Sequence, residues 1–163
     1  MRLTRPLYNL SHRFPVDTMR QTALQLHHIV DETEQRLGAL TEAESLARPA
    51  SDKWSRKEIL GHLIDSASNN HQRFVRAQFQ PQLVFPGYAQ VDWNRVQHYQ
   101  SEAWENLVRL WASYNRHLAH VIAAIPESAG QNSCEIGAGK PVTLEFLVAD
   151  YVVHLEHHLG QIL

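Results

Sequence analysis

The chain has 163 residues, 44% hydrophobic and 20% charged, which suits one compact domain with a real core. Its formal net charge of −2 and pI near 6.6 lack the basic excess that attracts nucleic acid or an anionic membrane, so neither is expected as a partner. A single cysteine, Cys134, excludes a disulfide framework within the chain, and eleven histidines are the unusual count.

No apolar run follows Met1-Arg-Leu-Thr-Arg-Pro6, and no stretch approaches the roughly 18 apolar residues of a membrane span. The expected location is therefore the cytoplasm. Residues 1–15, with Pro6 and Pro15, read as a leader over the fold, and Asn9-Leu-Ser11 matches the glycosylation pattern only by chance. From Val16, the residues Met19, Ala23, Leu26, Val30 and Leu37 recur at helical spacing, giving a first helix that ends near Gly38. A short helix is possible between Thr41 and Pro49.

Ser55 and Glu58 form a capping-box signature that opens a second long helix. Its apolar face is Ile59, Leu60, Leu63, Ile64, Ala67, Phe74 and Val75, and Pro81 ends it. Residues 81–100 form a long connection with a Pro86-Gly87 turn and one short helix; connections of this length often carry function. Ser101 opens the third helix, whose face runs from Trp104 through Leu107, Val108, Trp111, Leu118, Val121 and Ile122 to Ile125 before Pro126. Between residues 126 and 142, the piece from Cys134 to Val142 suits a small hairpin. Thr143 then caps a fourth helix with Leu144, Leu147, Tyr151, Leu155 and Leu159 as its stripe. The expected fold is all-α: a four-helix bundle over a single domain, residues 1–163, without a convincing sheet and with a long connection between helices 2 and 3.

His154 and His158 are four apart, which on a helix holds their Cβ atoms about 5–6 Å apart on one face. Both lie beside the apolar stripe, as does His62 between Leu60 and Leu63. Three converging neutral imidazoles read as metal ligands; three histidines satisfied separately in core or surface is the alternative that spacing leaves open. Such a donor set, without an obligatory carboxylate, favours zinc, nickel or another late divalent ion. It leaves a position for water, a thiol or a small-molecule substrate. Asp150 and Glu58, four residues before His154 and His62, are candidates for a further ligand, an outer-shell acceptor or a general base.

The other histidines read as ordinary. His27 and His28 each have an acid four residues later, His117 and His120 could touch without a third partner, and His12, His71 and His98 read as solvated or packed singly. There is no Glu-x-x-His pair of the di-iron type, no His-Glu-x-x-His, no Gly-x-Ser-x-Gly and no phosphate loop. Cys134 is a poor candidate nucleophile, and Trp93, Trp104 and Trp111 read as core and rim.

Three stretches resemble the DinB/YfiT-like superfamily. They are Trp54-Ser55 leading into Gly61-His62-Leu63-Ile64-Asp65, Trp111-x-x-Tyr-Asn-Arg-His-Leu118, and Asp150-Tyr-Val-x-His154-x-x-x-His158-x-x-Gln161. The resemblance implies a four-helix bundle, frequently a homodimer, with zinc or nickel on a three-histidine site. By position the ligands are His62, His154 and His158, with His157 pointing elsewhere. It also implies either transfer of a low-molecular-weight thiol (bacillithiol, glutathione or mycothiol) or hydrolysis, without assigning the cosubstrate a pocket. Residues 81–100, with Tyr88, Asp92, Trp93, Arg95 and Tyr99, are expected to help form the substrate pocket on an enzyme reading. The competing expectation is a binding or stress-associated module with a structural or absent metal.

Overall fold

The computed structural model describes residues 18–163; the expected leader, its glycosylation pattern, His12 and the first residues of helix 1 lie outside them. Four long helices dominate: α1 (Thr18–Gly38), α3 (Arg56–Ala77), α5 (Trp104–Ala123) and α6 (Leu144–Ile162). Shorter elements join them: α2 (Glu42–Leu46), β1 (Gln82–Phe85), α4 (Gln90–Gln97), β2 (Ser133–Ile136) and β3 (Val142–Thr143). No helix among the described residues is long and apolar enough to cross a membrane.

The stripes expected from periodicity meet in one core. Met19, Ala23, Leu26, Val30 and Leu37 of α1 are buried, and so is the Leu144–Leu159 stripe of α6. Each fully buried large apolar side chain contributes roughly 1.5–3 kcal/mol relative to exposure. Val75 departs from the expected face of α3 and is exposed. Helix α1 packs on α5 and α6, and α3 packs on the same two, so α1 and α3 sit diagonally across the bundle. The chain is therefore not a simple up-and-down bundle.

Caps explain where the helices begin. Thr41 with Glu44, and Ser55 with Glu58, form complete capping boxes, and Thr143 accepts from the backbone of Phe146. Helix α5 begins at Trp104 rather than at the expected Ser101. Its cap is remote: Glu42 accepts from the backbone N–H of Trp104 at 3.0 Å and pairs with the buried ammonium of Lys57, which also donates to the Glu102 carbonyl at 2.5 Å. Helix α3 ends at Ala77, ahead of Pro81, where Asn132 donates to the Ala77 carbonyl at 2.8 Å.

Expecting no sheet was incorrect. The hairpin between β2 and β3 is present, with Cys134 opposite Val142, and β1 from the 81–100 connection adds to β2 in parallel. This parallel pairing joins the two long connections, a non-local contact that leaves little trace in four-residue strands. Helices α3 and α6 run antiparallel. Arg56 at the start of α3 donates to the carbonyl of Ile162 at the end of α6 (2.8 Å), while Asn132, bonded to Ala77, accepts from Leu144 at the start of α6 (2.9 Å).

Candidate metal centre

The antiparallel pairing brings the beginning of α3 against the end of α6. His62 lies two turns inside the Ser55 cap and is 1% exposed. His154 and His158 approach it from α6, half-buried. The Nε2 atoms of His62 and His154 are 3.2 Å apart. Ring centroids lie 4.8 Å apart for His62 and His158, and 4.6 Å for His154 and His158. One ligand nitrogen from each of the three falls within 4.8 Å of the others. The indole of Trp54, 5.4 Å from His62, closes another side.

Two of the three imidazoles are held toward their neutral form. Burial, then the neighbouring His154 and His158, push the His62 imidazolium pKa down to about 4. Burial likewise lowers His154, followed by His158, while Asp150 pulls it back up. His158 Nδ1 lies 3.0 Å from Gln161 Oε1, and Gln161 Nε2 lies 3.1 Å from His157 Nε2. In that arrangement Nδ1–H of His158 donates to Gln161, whose amide donates to His157, and the lone pair of His158 Nε2 is left free. Neutral nitrogen donors with no carboxylate among them fit a late divalent ion. His157 is not among the three converging ligand residues, but its ring lies 5.1 Å from that of His158 and its Nε2 meets the Gln161 amide. Gln161 is the residue the reasoning from spacing did not assign, although its position one turn after His158 is a signal of its own.

The Gly61-His62-x-x-Asp65 stretch acquires a physical reason. The ring of Tyr99 lies on Gly61 so closely that a Cβ there would sit 2.1 Å from Tyr99 Cδ2. Tyr99 donates to Asp65 Oδ1 at 2.6 Å, and Gln97 donates to the same oxygen at 2.5 Å. Thus the end of the 81–100 connection is fastened to α3 immediately beside His62. Burial raises the Asp65 carboxyl pKa against these two hydrogen bonds.

Asp150 and Glu58 have different surroundings. Asp150 lines a cavity of about 200 Å3 that also touches His154, between α3, α6 and Tyr88. Both oxygens of Glu58 are engaged, one by the Ser55 backbone at 2.8 Å and one by Arg48 at 2.5 Å. Glu58 therefore serves the cap rather than the cavity. Of the connection residues expected at a pocket, Tyr88 reaches this cavity; Trp93 packs on Tyr88, and Asp92 pairs with Arg95 at the surface. Tyr99 acts from beneath, through Gly61 and Asp65.

The surface pairs of His27 with Asp31 (3.0 Å) and His28 with Glu32 (3.2 Å) are present. His71 is not packed singly: its Nδ1 is 3.2 Å from the Tyr114 hydroxyl, and its ring meets that of His117. Cys134 is buried and belongs to the core. Trp104 and Trp111 are buried and Trp93 lies at the surface, as expected.

The model of the DinB superfamily matches residues 25–162, nearly all of the described chain. The chain belongs to the DinB superfamily. Its fold is similar to that of YfiT from Bacillus subtilis, described as "a probable metal-dependent hydrolase with an unusual four-helix bundle topology". The TM-score is 0.72 at 15% identity, covering 98% of this chain and 89% of YfiT. At that identity the likeness concerns the four-helix fold. No protein of curated function matches this DinB-superfamily chain in sequence.

Proposed function

We propose that this DinB-superfamily chain is a divalent-metal-dependent enzyme acting on a small molecule, with His62, His154 and His158 holding zinc or nickel. The observation that carries this reading is the convergence of three imidazole nitrogens within 4.8 Å of one another from two helices. When bound, the ion supplies Lewis acidity and an open position where a water or a thiol is held as its conjugate base.

The chain's own residues set the conditions for that chemistry. Trp54 and the burial of His62 shield one side of the cluster from water. Gln161 fixes the His158 tautomer, which keeps the Nε2 lone pair available. Asp150, beside His154 in the cavity, is placed to accept the proton released by the nucleophile. Burial and the nearby Asp65 push the Tyr88 phenol up to about 12, so at neutral pH its hydroxyl stays a donor toward the substrate.

The test is elemental mass spectrometry of protein purified without a polyhistidine tag, followed by activity of the zinc- and nickel-loaded forms. Near-stoichiometric metal is expected, together with either hydrolysis of ester and amide substrates or transfer of a low-molecular-weight thiol to an electrophile. Absence of metal after reloading would sink the proposal in favour of a non-catalytic helical module. Metal without either activity would leave a structural ion and remove the enzyme.

A further inference from the structure

The cavity beside His154 contains a cation that makes no direct ion pair with the fold. Arg73 is 7% exposed, its NH1 donates to Asn70 Oδ1 at 3.2 Å, and its Nε is buried without a partner. Arginine ion pairs elsewhere in the described residues include those of Arg48, Arg95, Arg109 and Arg116, whereas no carboxylate pairs with Arg73. The ring of Phe85, 5.6 Å away, covers the guanidinium on one side without cancelling its charge. Lys57 shows how the chain treats its other buried cation: it is 1% exposed and held by Glu42 and the Glu102 carbonyl. A buried guanidinium lacking any such counter-charge is costly to fold. Functional sites are where a costly group of this kind finds its use.

Position suggests what that use is. His62, Ser66, Asn70 and Arg73 follow one another along α3 at helical spacing, and Asp150, His154 and His158 do so along α6. Because the two helices are antiparallel, these rows face each other, with the histidine cluster at one end. The residues lining the cavity of about 200 Å3 include Ser66, Asn70, Arg73, Tyr88, Asp150 and His154. It is smaller than the roughly 300–1,000 Å3 of pockets that hold drug-sized ligands.

We infer that Arg73 anchors a carboxylate of the substrate, so that the enzyme acts on a small monocarboxylic acid whose reacting bond lies toward His154 and His62. Guanidinium and carboxylate match in charge and in planar, bidentate geometry. A single negative charge suits the cavity better than the double charge of a phosphate. Asp150 already lines it, and Asp65 is close enough to raise the Tyr88 phenol. Asn70 and Tyr88 are two of the neutral groups lining the cavity with the anchor; Asn70 fixes NH1, and Tyr88 supplies a hydroxyl donor. As a substrate subsite this rests on the metal-centre reading, whereas as a carboxylate-binding site it does not.

The experiment is a titration of metal-free and zinc-loaded protein with straight-chain monocarboxylates from acetate to hexanoate, followed by the NMR signal of Arg73 Nε–H. Matched primary amides and inorganic phosphate serve as competing probes. A saturable shift of that signal with carboxylate, absent with the amide and weaker with phosphate, is expected in both forms. Arg73→Met should bind carboxylate at least about tenfold more weakly, the loss of a hydrogen-bonded charge. Its melting temperature should not fall, because it removes an uncompensated buried charge. An unshifted Arg73 signal, tighter binding of phosphate, or an Arg73→Met protein that melts well below wild type would overturn the inference. The metal-free arm separates the two proposals: carboxylate binding there survives a failed metal centre, and its absence from protein that holds metal condemns the subsite alone.

Discussion

Helix α3 carries two histidines that each meet histidines of another helix, and the outcomes differ. At its beginning His62 meets His154 and His158, with one ligand nitrogen from each within 4.8 Å of the others. About two and a half turns on in the helix, His71 meets His117 of α5 with ring centroids 5.1 Å apart, and His117 stacks on His120 at 6.4 Å. There the His71 Nδ1 faces Tyr114, while His117 and His120 are exposed. Both clusters contain a helical pair at close spacing. Only the first adds a fully buried ring, an orienting amide and three nitrogens directed at one another. Spacing within one helix creates an opportunity for a site; the approach of a second helix decides whether it becomes one.

The sharpest way to break this contrast is to remove one histidine from each cluster. His62→Ala is expected to abolish metal binding in the tag-free protein, and His117→Ala to leave its metal content unchanged, both read by elemental mass spectrometry. Equal losses in the two variants would mean that the clusters do not differ as described.

Next in size is the support beneath His62. Gly61→Ala forces a methyl group into the Tyr99 ring and should destabilise by about 1–3 kcal/mol in urea denaturation, more than the roughly 1 kcal/mol that alanine gains over glycine in a helix. An exposed glycine of α6, Gly160, has nothing within 4 Å of an added Cβ. Gly160→Ala should therefore be neutral or stabilising.

The metal-free cluster should also respond to acid. With the pKa of His62 lowered from 6.5 to about 4, the unfolded state binds a proton that the folded state refuses. Stability is then complete above pH 6.5 and is lost as the pH falls toward 4, by at most about 3 kcal/mol. His71 is shifted the same way by burial and by His117. Denaturation midpoints at a series of pH values should flatten more in His62→Gln than in His71→Gln; the reverse order would locate the sensitivity in the wrong cluster.

The smallest expected effect separates the two orienting partners. Gln161→Ala should weaken metal binding by about 10- to 100-fold while preserving the fold. Tyr114→Phe, which removes the hydroxyl beside His71, should leave metal affinity untouched in the same competition titration.

Much of this was readable in the chain because it is local. The apolar stripe of α6 and the Ser55–Glu58 box depend on residues within a turn or two of each other and stand as expected, and the His154 and His158 rings, four apart in sequence, lie 4.6 Å from one another. The start of α5 was misplaced because its cap is Glu42, held there by Lys57, a long way off in sequence. Strand β1 was missed for a similar reason, since it pairs with β2 across two intervening helices. His71 looked solitary because its partners belong to α5, and Glu58 looked available because sequence does not reveal Arg48 folding back onto it. The convergence of His62 on α6 was suggested by apolar neighbours and by family resemblance, but the 3.2 Å approach of His154 depends on the antiparallel docking of whole helices.

The separation of His62 and His154 by 92 positions has a consequence for the life of the chain. An ion joining them on the proposed reading ties a loop comprising more than half the protein, restricting the unfolded ensemble as a cross-link does. For a loop of that length the chain-entropy estimate is about 4–5 kcal/mol. Unlike a disulfide, this tie needs no oxidant and can be withdrawn by a chelator. Metal supply would then set how long the folded molecule persists as well as whether it can act.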